Sequence, residues 1–321
     1  MKKILITLTK REEAITKKAV ADFCSSNDYE VTPLFHDTEM AEAELCERIK
    51  DADAFIFGME HVTEMVLDAA RKLKILCKFG VGLDKIDLQA AFRHQVTVTN
   101  CPGMNSNAVA ELAFGLMIGL ARQIPQCDAQ MRRHIWHAEP GKEISKKTVG
   151  IVGMGAIGKT LARYARAFDM KVLACDLYPD DAAAQELGFQ YVRLDEILKE
   201  ADFLSLHIPG DGTTQNMIDW PQLRAMKPTA YLINTARGRI VNEDALYQAL
   251  ETGVIAGAAI DSFATEPSYD SKLLHSNKVI ALPHIGAASD EANDRIIRFS
   301  LQNAKDFLEG RAPLNQIRLS S

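Results

Sequence analysis

Three glycines in a fixed spacing constrain the fold of this chain more than any other feature. Gly153, Gly155 and Gly158 follow the pattern G-x-G-x-x-G directly after the β-branched segment Thr148–Val152. Apolar residues then recur at helical spacing, and a second apolar segment, Lys171–Cys175, follows. In this setting the first glycine permits a tight turn, the second leaves the backbone open to close approach, and the third lets the helix pack on the strand. The stretch therefore predicts a strand–helix–strand unit with parallel strands.

The same turn predicts a binding site for a dinucleotide. Free N–H groups at the start of the helix, together with the helix dipole, favour a pyrophosphate. Asp176 follows the second strand, about 20 residues beyond the glycines, where a carboxylate would accept hydrogen bonds from ribose hydroxyls. A 2′-phosphate would meet this negative charge unfavourably, so NAD is favoured over NADP. A glycine-rich structural turn is the alternative interpretation of the motif.

Length and charge narrow the class of protein. The 321 residues suffice for two domains of ordinary size. Hydrophobic residues make up 47% and charged residues 25%, as in a globular protein with a substantial core. The net charge of −6 and the sequence pI of about 5.8 argue against binding to nucleic acid or to an anionic membrane surface.

The cysteines and the apolar segments indicate a cytoplasmic protein. The six cysteines are scattered without C-x-x-C or other metal-ligand spacing, so we expect free thiols and no metal site. The apolar run Ile4–Leu8 is too short for a signal peptide and leads directly into charged residues. The longest apolar segment, Ala108–Ala121, carries Glu111 and falls short of the ~20 residues that span a bilayer.

Strand and helix patterns alternate along the chain. They predict parallel βαβ units up to Asn100–Gly103, where proline and glycine break the regular pattern. A long helix is then predicted for about Ser106–Arg133, with Pro125 kinking or dividing it. The second module runs from the glycine motif to about Ala281, and a last helix is predicted for Asp290–Leu308. Two modules imply a cleft, where small ligands bind.

Three loops after predicted strands of the second module carry side chains suited to catalysis. Arg237 follows a buried strand, and its planar guanidinium suits bidentate recognition of a carboxylate. Glu266 and His284 stand in the two following loops, and a histidine held by a carboxylate is a competent general acid–base near neutral pH. Taken singly, each has an ordinary alternative: a surface ion pair, a Glu-Pro turn and a structural histidine. Spacing alone leaves open whether the three side chains meet.

Six motifs in order carry a resemblance over nearly the whole chain. They are FGVGLDKID (Phe79–Asp87), NCPGMNSNAVAELAFGLMIGLAR (Asn100–Arg122), VGMGAIG (Val152–Gly158), NTARG (Asn234–Gly238), AIDSFATEP (Ala259–Pro267) and PHIGA (Pro283–Ala287). On these motifs the chain resembles the D-isomer-specific 2-hydroxyacid dehydrogenase family, and within it the phosphoglycerate dehydrogenase-like short forms.

The resemblance implies an α/β fold with two doubly wound parallel-sheet domains. A Rossmann NAD-binding domain, residues 104–286, would be inserted into a flavodoxin-like substrate domain formed by residues 1–103 and 287–321. The implied activity is NAD-dependent oxidoreduction at the CH–OH group of a 2-hydroxy acid, with hydride passing between C2 and the nicotinamide. In the implied catalytic triad, Arg237 holds the substrate carboxylate and polarises the C2 oxygen, and His284 exchanges a proton with that oxygen. Glu266 orients His284 and favours its imidazolium form.

The resemblance also assigns residues to the cofactor. Ala156 and Ile157 match backbone contacts at the pyrophosphate, and Asp261 matches the position that binds the nicotinamide carboxamide. The cofactor set implied in full is Gly153, Gly155, Ala156, Ile157, Gly158, Asp176, His207, Pro209, Thr235, Ala236, Asp261 and Gly286.

On the substrate side, the resemblance assigns backbone N–H groups of Val81 and Gly82 to the substrate carboxylate and a polar contact near the hinge to Asn105. Lys78 lies beside that loop and could serve a phosphate, whereas Glu60 would repel one unless it points away. 3-Phosphoglycerate is the first candidate substrate. Reduction of glyoxylate or hydroxypyruvate is the next candidate reaction.

Assembly and a rival function also follow from the resemblance. The family expectation is a homodimer through the long middle helix, and the region of Arg132, Arg133 and Trp136 packs at that interface in relatives; an ordinary solvated face is the alternative. Because the chain ends at Ser321, no regulatory domain of the longer serine-sensitive forms is expected. The rival is a corepressor-like, NAD-sensing binding protein, since such relatives keep the fold and the triad.

Overall fold

The computed structural model describes residues 1–137 and 140–318 and divides the chain into two compact units. The first unit comprises Met1–Asn105 and Ala287–Ser321, and the second comprises Ser106–Gly286. The boundaries expected from the sequence were after residues 103 and 286.

Five parallel strands form the sheet of the first unit. They are β1 (Lys2–Thr9), β2 (Tyr29–His36), β3 (Ala54–Phe57), β4 (Ile75–Lys78) and β5 (Thr97–Thr99). The order in the sheet is β2-β1-β3-β4-β5, the flavodoxin-like arrangement. The helices between them are α1 (Glu13–Ser25), α2 (Glu42–Ile49), α3 (Glu64–Ala69) and α4 (Leu88–Arg93).

Seven parallel strands form the sheet of the second unit. They are β6 (Thr148–Val152), β7 (Lys171–Cys175), β8 (Gln190–Tyr191), β9 (Phe203–Leu206), β10 (Tyr231–Asn234), β11 (Gly257–Ile260) and β12 (Val279–Ala281). The order is β12-β11-β10-β9-β6-β7-β8. The helices of this unit are α5 (Ser106–Ala121), α6 (Ile124–Arg132), α7 (Ala156–Ala167), α8 (Asp181–Leu187), α9 (Leu194–Glu200), α10 (Trp220–Ala225) and α11 (Glu243–Glu251). The predicted architecture of two doubly wound parallel sheets is confirmed.

Strand residues alternate between two hydrophobic layers in each unit, as the period of two requires. In the second unit Ile233 packs with α5 and α7 on one face, and Leu232 packs with α9, α10 and α11 on the other. In the first unit Leu5 faces α2, α3 and α4. Ile4 and Ile6 face α1 and the last helix of the chain, α12 (Asp290–Leu308). Both faces of each sheet are therefore covered, which parallel sheets require.

The predicted long middle helix is two helices. Gln123 adopts a left-handed conformation with φ of +52°, and Pro125 lies in the first turn of α6, where its missing N–H is tolerated. The axes of α5 and α6 differ by 64°. Within residues 1–137 and 140–318 no single helix is long and apolar enough to cross a membrane, and only this bent pair passes the test of length and composition.

The short helix α10 was missed in the sequence. It has six residues and carries Pro221 in its first turn, so its segment resembles a turn. Asp219 caps it by accepting a hydrogen bond from the N–H of Trp220 at 2.7 Å, and fully buried Leu223 anchors it to the core. Tertiary packing and the cap, rather than helical periodicity, therefore stabilise this element.

Candidate active site

Five neighbouring strands of the second unit end level with one another. Val152 pairs with Cys175 on one side and with Leu206 on the other. Asn234 likewise pairs with Leu206 and with Ile260. Because the strands are parallel, the loops after these residues leave from the same edge of the sheet. The strand order reverses between β6 and β9, where ligands of open α/β sheets bind. This carboxyl edge is therefore the candidate site.

Each glycine of the turn after β6 has its own structural reason. Gly153 has a φ of +98°, and a β-carbon there would lie 2.4 Å from the carbonyl oxygen of His207. A β-carbon at Gly158 would lie 2.1 Å from the carbonyl oxygen of Gly153, so α7 packs tightly on the turn. At Gly155, the N-cap of α7, such a carbon would meet no described atom within 4 Å beyond the adjoining residues of its own turn. This open space at a helix N-terminus fits a pyrophosphate.

Asp176 lies beside the glycine turn. Its Oδ2 accepts a hydrogen bond from the N–H of Met154 at 2.6 Å, and its Oδ1 accepts one from the N–H of Tyr178 at 2.9 Å. Lys159, on the first turns of α7, donates to Asp180 at 2.6 Å. The hydrogen bond and charge of Asp180, with a further contribution from Asp176, raise the pKa of Lys159. Its positive charge is thus already compensated, and the surroundings of Asp176 do not favour a 2′-phosphate.

Two shielded polar atoms at this edge have no hydrogen-bond partner within the described ranges: Nδ1 of His207 and Oγ1 of Thr235. Buried polar atoms are normally satisfied, so each marks a place for a ligand atom. The two residues follow β9 and β10, the two strands next to β6 on the side away from β7. Ribose hydroxyls and a carboxamide are partners of the required kind, and the residues present therefore fit NAD.

A buried side chain at the end of β10 holds the loop that carries Arg237. Asn234 is fully buried; its Nδ2 donates to the carbonyl of Arg237 at 2.9 Å, and its Oδ1 accepts from the N–H of Ala236 at 3.1 Å. The Arg237 Nη1 donates to the carbonyl of Ala236 at 2.8 Å. A β-carbon at Gly210 would lie 2.5 Å from the Arg237 Cβ, so the loop after β9 packs on the arginine stem.

The loop of His284 is fixed in the same way by Asp261, which is 1% exposed. The carboxylate accepts hydrogen bonds from the N–H groups of Ile285 at 2.7 Å and Gly286 at 2.8 Å. The carbonyl of Asp261 accepts the N–H of His284 at 3.0 Å. These bonds hold His284 at a φ of +52°, a left-handed conformation unfavourable for a residue with a side chain. The contact of Asp261 with the nicotinamide carboxamide stays a prediction.

Glu266 and His284 form an acid–base pair. His284 Nδ1 lies 2.8 Å from Glu266 Oε2, and Glu266 Oε1 accepts the N–H of Phe263 at 2.9 Å. Burial raises the pKa of Glu266, but the bond to His284, its charge, the Phe263 N–H and the charge of Arg237 together lower that pKa. The two side chains are 38% and 49% exposed, so both are accessible. A β-carbon at Gly238 would overlap the Phe263 carbonyl carbon at 1.8 Å, which places the arginine and glutamate loops in direct contact.

In the first unit, the loop after β4 presents backbone N–H groups. Asn100 Nδ2 donates to the carbonyl of Val81 at 2.9 Å, and the N–H of Cys101 donates to the carbonyl of Gly80 at 2.8 Å. These bonds fix the loop through its carbonyls. Across the described chain the N–H groups of Val81 and Gly82 make no intramolecular hydrogen bond. They are available to an external acceptor such as a carboxylate.

The polar side chains near this loop are engaged within the first unit or shielded. Lys78 Nζ donates to the carbonyl of Gly58 at 2.6 Å. Glu60 is fully buried and lies 2.9 Å from the imidazole of His36. Its carboxylate therefore points into the unit. The Oδ1 of Asn105 is shielded and has no partner among the described residues.

The predicted residues thus fall into two groups. The triad and the cofactor set belong to the second unit, whereas Lys78, Val81, Gly82 and Asn105 belong to the first. Sequence reasoning missed the supporting roles of Asn234, the last residue of β10, and of Ser262, the second residue after β11, although each lies within a recognised motif. In the described part of the chain no group of three or more His, Cys, Asp or Glu side chains could hold a metal ion.

A glycine turn fitted to NAD, with an arginine and a Glu–His pair at the same sheet edge, defines a nicotinamide-dependent oxidoreductase. Residues 114–286 match the family model of the D-isomer specific 2-hydroxyacid dehydrogenase NAD binding domain. The chain therefore belongs to the D-isomer specific 2-hydroxyacid dehydrogenase family. It is an NAD-dependent enzyme that interconverts 2-hydroxy acids and 2-keto acids.

Individual relatives carry different names. A glyoxylate reductase of Thermococcus litoralis is 38% identical over 85% of this chain and 86% of its own length. A D-3-phosphoglycerate dehydrogenase of Synechocystis sp. is 40% identical over 85% of this chain, which spans 50% of that relative. The apo-structure of D-lactate dehydrogenase from Escherichia coli is 27% identical, with a TM-score of 0.87 and coverage of 98% of this chain and 100% of that one.

The shielded imidazole of His207 predicts an acid-sensitive stability. Its Nε2 lies 2.9 Å from Ser205 Oγ, and burial lowers the pKa of His207 to about 4. Between pH 6.5 and 4 the unfolded chain therefore binds a proton that the folded chain does not, so stability falls as the pH falls. The wild-type chain should lose roughly 2–3 kcal/mol more unfolding free energy between pH 7 and 4.5 than His207→Asn does, as measured by urea unfolding.

His275→Asn, at an exposed histidine of the same unit, serves as the control and should leave the pH dependence unchanged. If the free energy of unfolding depended on pH in the same way for the wild-type chain and His207→Asn, this imidazole would not be held neutral by burial.

Proposed function

We propose that Arg237, Glu266 and His284 are the catalytic residues and that the enzyme reduces a small 2-keto acid. The observation that carries this proposal is the 2.8 Å bond between His284 and Glu266, at the sheet edge that also holds Arg237 and the glycine turn. NAD, when bound, supplies or accepts the hydride. The protein residues orient the acid and move one proton.

His284 is assigned the proton transfer. Because its Nδ1 is bonded to Glu266, the other ring nitrogen, Nε2, is left to face the C2 oxygen. In reduction the imidazolium gives its Nε2 proton to that oxygen, and in oxidation the neutral ring takes it back. The lowered pKa of Glu266 keeps this carboxylate ionised, so it stabilises the imidazolium.

Arg237 is assigned the substrate carboxylate and the polarisation of the C2 oxygen. A guanidinium presents five N–H donors, and the bond from Nη1 to the Ala236 carbonyl uses one of them while fixing the plane of the group. In the first unit, the N–H groups of Val81 and Gly82 and the amide of Asn105 are proposed as further contacts of the acid.

The cofactor contacts are proposed from the same edge of the second sheet. The pyrophosphate would meet the N–H groups of Ala156 and Ile157 above the open space at Gly155. Asp176 would accept hydrogen bonds from ribose hydroxyls. The loops after β9, β10, β11 and β12, which include the unpartnered His207 Nδ1 and Thr235 Oγ1, would contact the nicotinamide half of the cofactor. The residues of those loops are His207, Pro209, Thr235, Ala236, Asp261 and Gly286.

Glyoxylate or hydroxypyruvate is favoured over a phosphorylated acid by the lysines of the first unit. Lys10 Nζ is 2.6 Å from Asp37, and Lys85 Nζ is 3.0 Å from Glu39. Lys78 donates to a backbone carbonyl. A phosphate dianion would have to displace partners that these cations already hold. A small neutral substituent at C2 makes no such demand. 3-Phosphoglycerate is therefore the second candidate.

Removing the catalytic side chains should separate chemistry from cofactor binding. Arg237→Ala and His284→Ala should each lower kcat/KM for the keto acid by about 10³-fold, while NADH affinity, followed by its fluorescence, stays within a few fold. Arg239→Ala is the matched control, since this arginine lies two residues away on the same loop and is exposed. Near-normal turnover in either catalytic variant would overturn the assignment.

A panel of 2-keto acids should identify the substrate class. Loss of NADH absorbance should give a kcat/KM for glyoxylate or hydroxypyruvate at least about 10-fold above that for the phosphorylated keto acid of 3-phosphoglycerate. Glu39→Gln removes the carboxylate that neutralises Lys85 and leaves its bond to the Met59 carbonyl, so it should improve turnover of the phosphorylated acid selectively. The reverse preference in the wild-type enzyme would make 3-phosphoglycerate the substrate, and NADH binding without turnover of any acid would favour the corepressor-like alternative.

A homodimer is proposed as the assembly. Ile124, Met131 and Ile135 on and after α6 are 52%, 50% and 45% exposed, and Trp136 is 91% exposed. Large apolar side chains grouped in this way are typical of a surface covered by a partner, and a second copy is the partner that the family expectation supplies. A cytoplasmic location is proposed because all six cysteines are free thiols.

Replacing Trp136 with Glu should dissociate this dimer. Introducing a charge at an aromatic side chain that the partner would bury should weaken self-association by about 30-fold or more, which sedimentation velocity measures. Leu314→Glu is the control, because Leu314 is 63% exposed but lies in the first unit. A monomeric wild-type chain at micromolar concentration would remove the proposal, as would an unaltered dimer for Trp136→Glu.

A further inference from the structure

Ser262 contacts both catalytic loops of the second unit from a buried position. It is 2% exposed and is the second residue after β11. Its Oγ lies 3.4 Å from His284 Nδ1 and 3.3 Å from the carbonyl oxygen of Ala236. The Ser262 hydroxyl therefore lies between the imidazole and the loop that carries Arg237.

The donors and acceptors at this hydroxyl fix its orientation. The Ala236 oxygen can only accept, so Ser262 donates its O–H proton to that carbonyl. A lone pair of Oγ is then left for His284 Nδ1. Glu266 Oε2, at 2.8 Å, is also an acceptor, so Nδ1 carries a proton and shares it between the carboxylate and the hydroxyl. Both acceptors favour the same protonation state of this ring nitrogen.

The Ala236 carbonyl links this arrangement to the arginine. It accepts a hydrogen bond from Arg237 Nη1 at 2.8 Å as well as the one from Ser262. A continuous series of hydrogen bonds thus runs from the guanidinium, through this carbonyl and the hydroxyl, to the imidazole and Glu266. Because the guanidinium and the hydroxyl donate to the same oxygen, movement of the Ala236 carbonyl would disturb both the arginine and the serine bonded to the imidazole.

We propose that Ser262 is a positioning residue for proton transfer: it holds His284 with a proton on Nδ1, so that Nε2 faces the C2 oxygen, and it couples the imidazole to Arg237. This proposal rests on the proposed catalytic roles of His284 and Arg237. A serine with only a structural role would be satisfied by the Ala236 carbonyl alone, and its contact with the ring nitrogen would have no effect on catalysis.

The test compares Ser262→Ala with Ser276→Ala. Ser276 is a buried serine of the same unit whose Oγ donates to Glu251 at 2.9 Å, and it precedes β12 at the opposite edge of the sheet. Ser262→Ala should lower kcat for keto-acid reduction by roughly 10-fold while leaving NADH affinity unchanged. The high-pH limb of the kcat profile should move to lower pH, because the charged ring donates a stronger hydrogen bond to the hydroxyl than the neutral ring does. Ser276→Ala should change neither quantity.

A double variant gives a readout independent of folding. Because Ser262 and Glu266 act on the same nitrogen, the kcat effects of Ser262→Ala and Glu266→Gln should combine to less than their product. The proposal is overturned if Ser262→Ala matches Ser276→Ala in kcat and pH profile, or if the two effects multiply independently. These outcomes are distinct from failure of the catalytic assignment, in which His284→Ala itself would retain turnover.

Discussion

Two buried polar side chains at the ends of neighbouring strands hold the catalytic loops in place. Asn234, at the end of β10, bonds to the carbonyl of Arg237, and Asp261, directly after β11, bonds to the N–H groups of residues 284–286. An unpaired buried polar group costs about 1–3 kcal/mol, so neither loop can move away without leaving such groups unsatisfied. Arg237 and His284 are therefore positioned by the sheet itself rather than by flexible loops.

The sheet of the second unit divides cofactor binding and chemistry along one edge. The glycine turn and Asp176 follow β6 and β7, and the triad loops follow β10, β11 and β12. β9 lies between the two groups, and the loop after it contacts both, since the His207 carbonyl packs on Gly153 and Gly210 packs on Arg237. Because the strands end level, one register sets the distances between all these elements. A shift of one strand would displace a catalytic loop from the cofactor turn.

Local sequence determined most of the architecture, and tertiary packing determined the rest. Apolar runs bounded by glycine or aspartate predicted the strands, and Pro125 marked the division between α5 and α6. The direction of a side chain that follows a strand depends on the neighbouring loops, which sequence spacing does not describe. For this reason the burial of Glu60 against His36 and the contact of Ser262 with His284 could not be predicted. The residues of the triad were identified from a resemblance, whereas their bonds to one another come from the coordinates.

The most direct test of the account is a crystal structure of the enzyme with NADH and oxamate, an unreactive mimic of a 2-keto acid. In that complex the Arg237 guanidinium should bind the oxamate carboxylate, and His284 Nε2 should lie about 3 Å from the oxygen at C2. His284 Nδ1 should remain bonded to Glu266 in that complex. Oxamate bound away from both side chains, or an imidazole turned away from Glu266, would contradict the proposed mechanism.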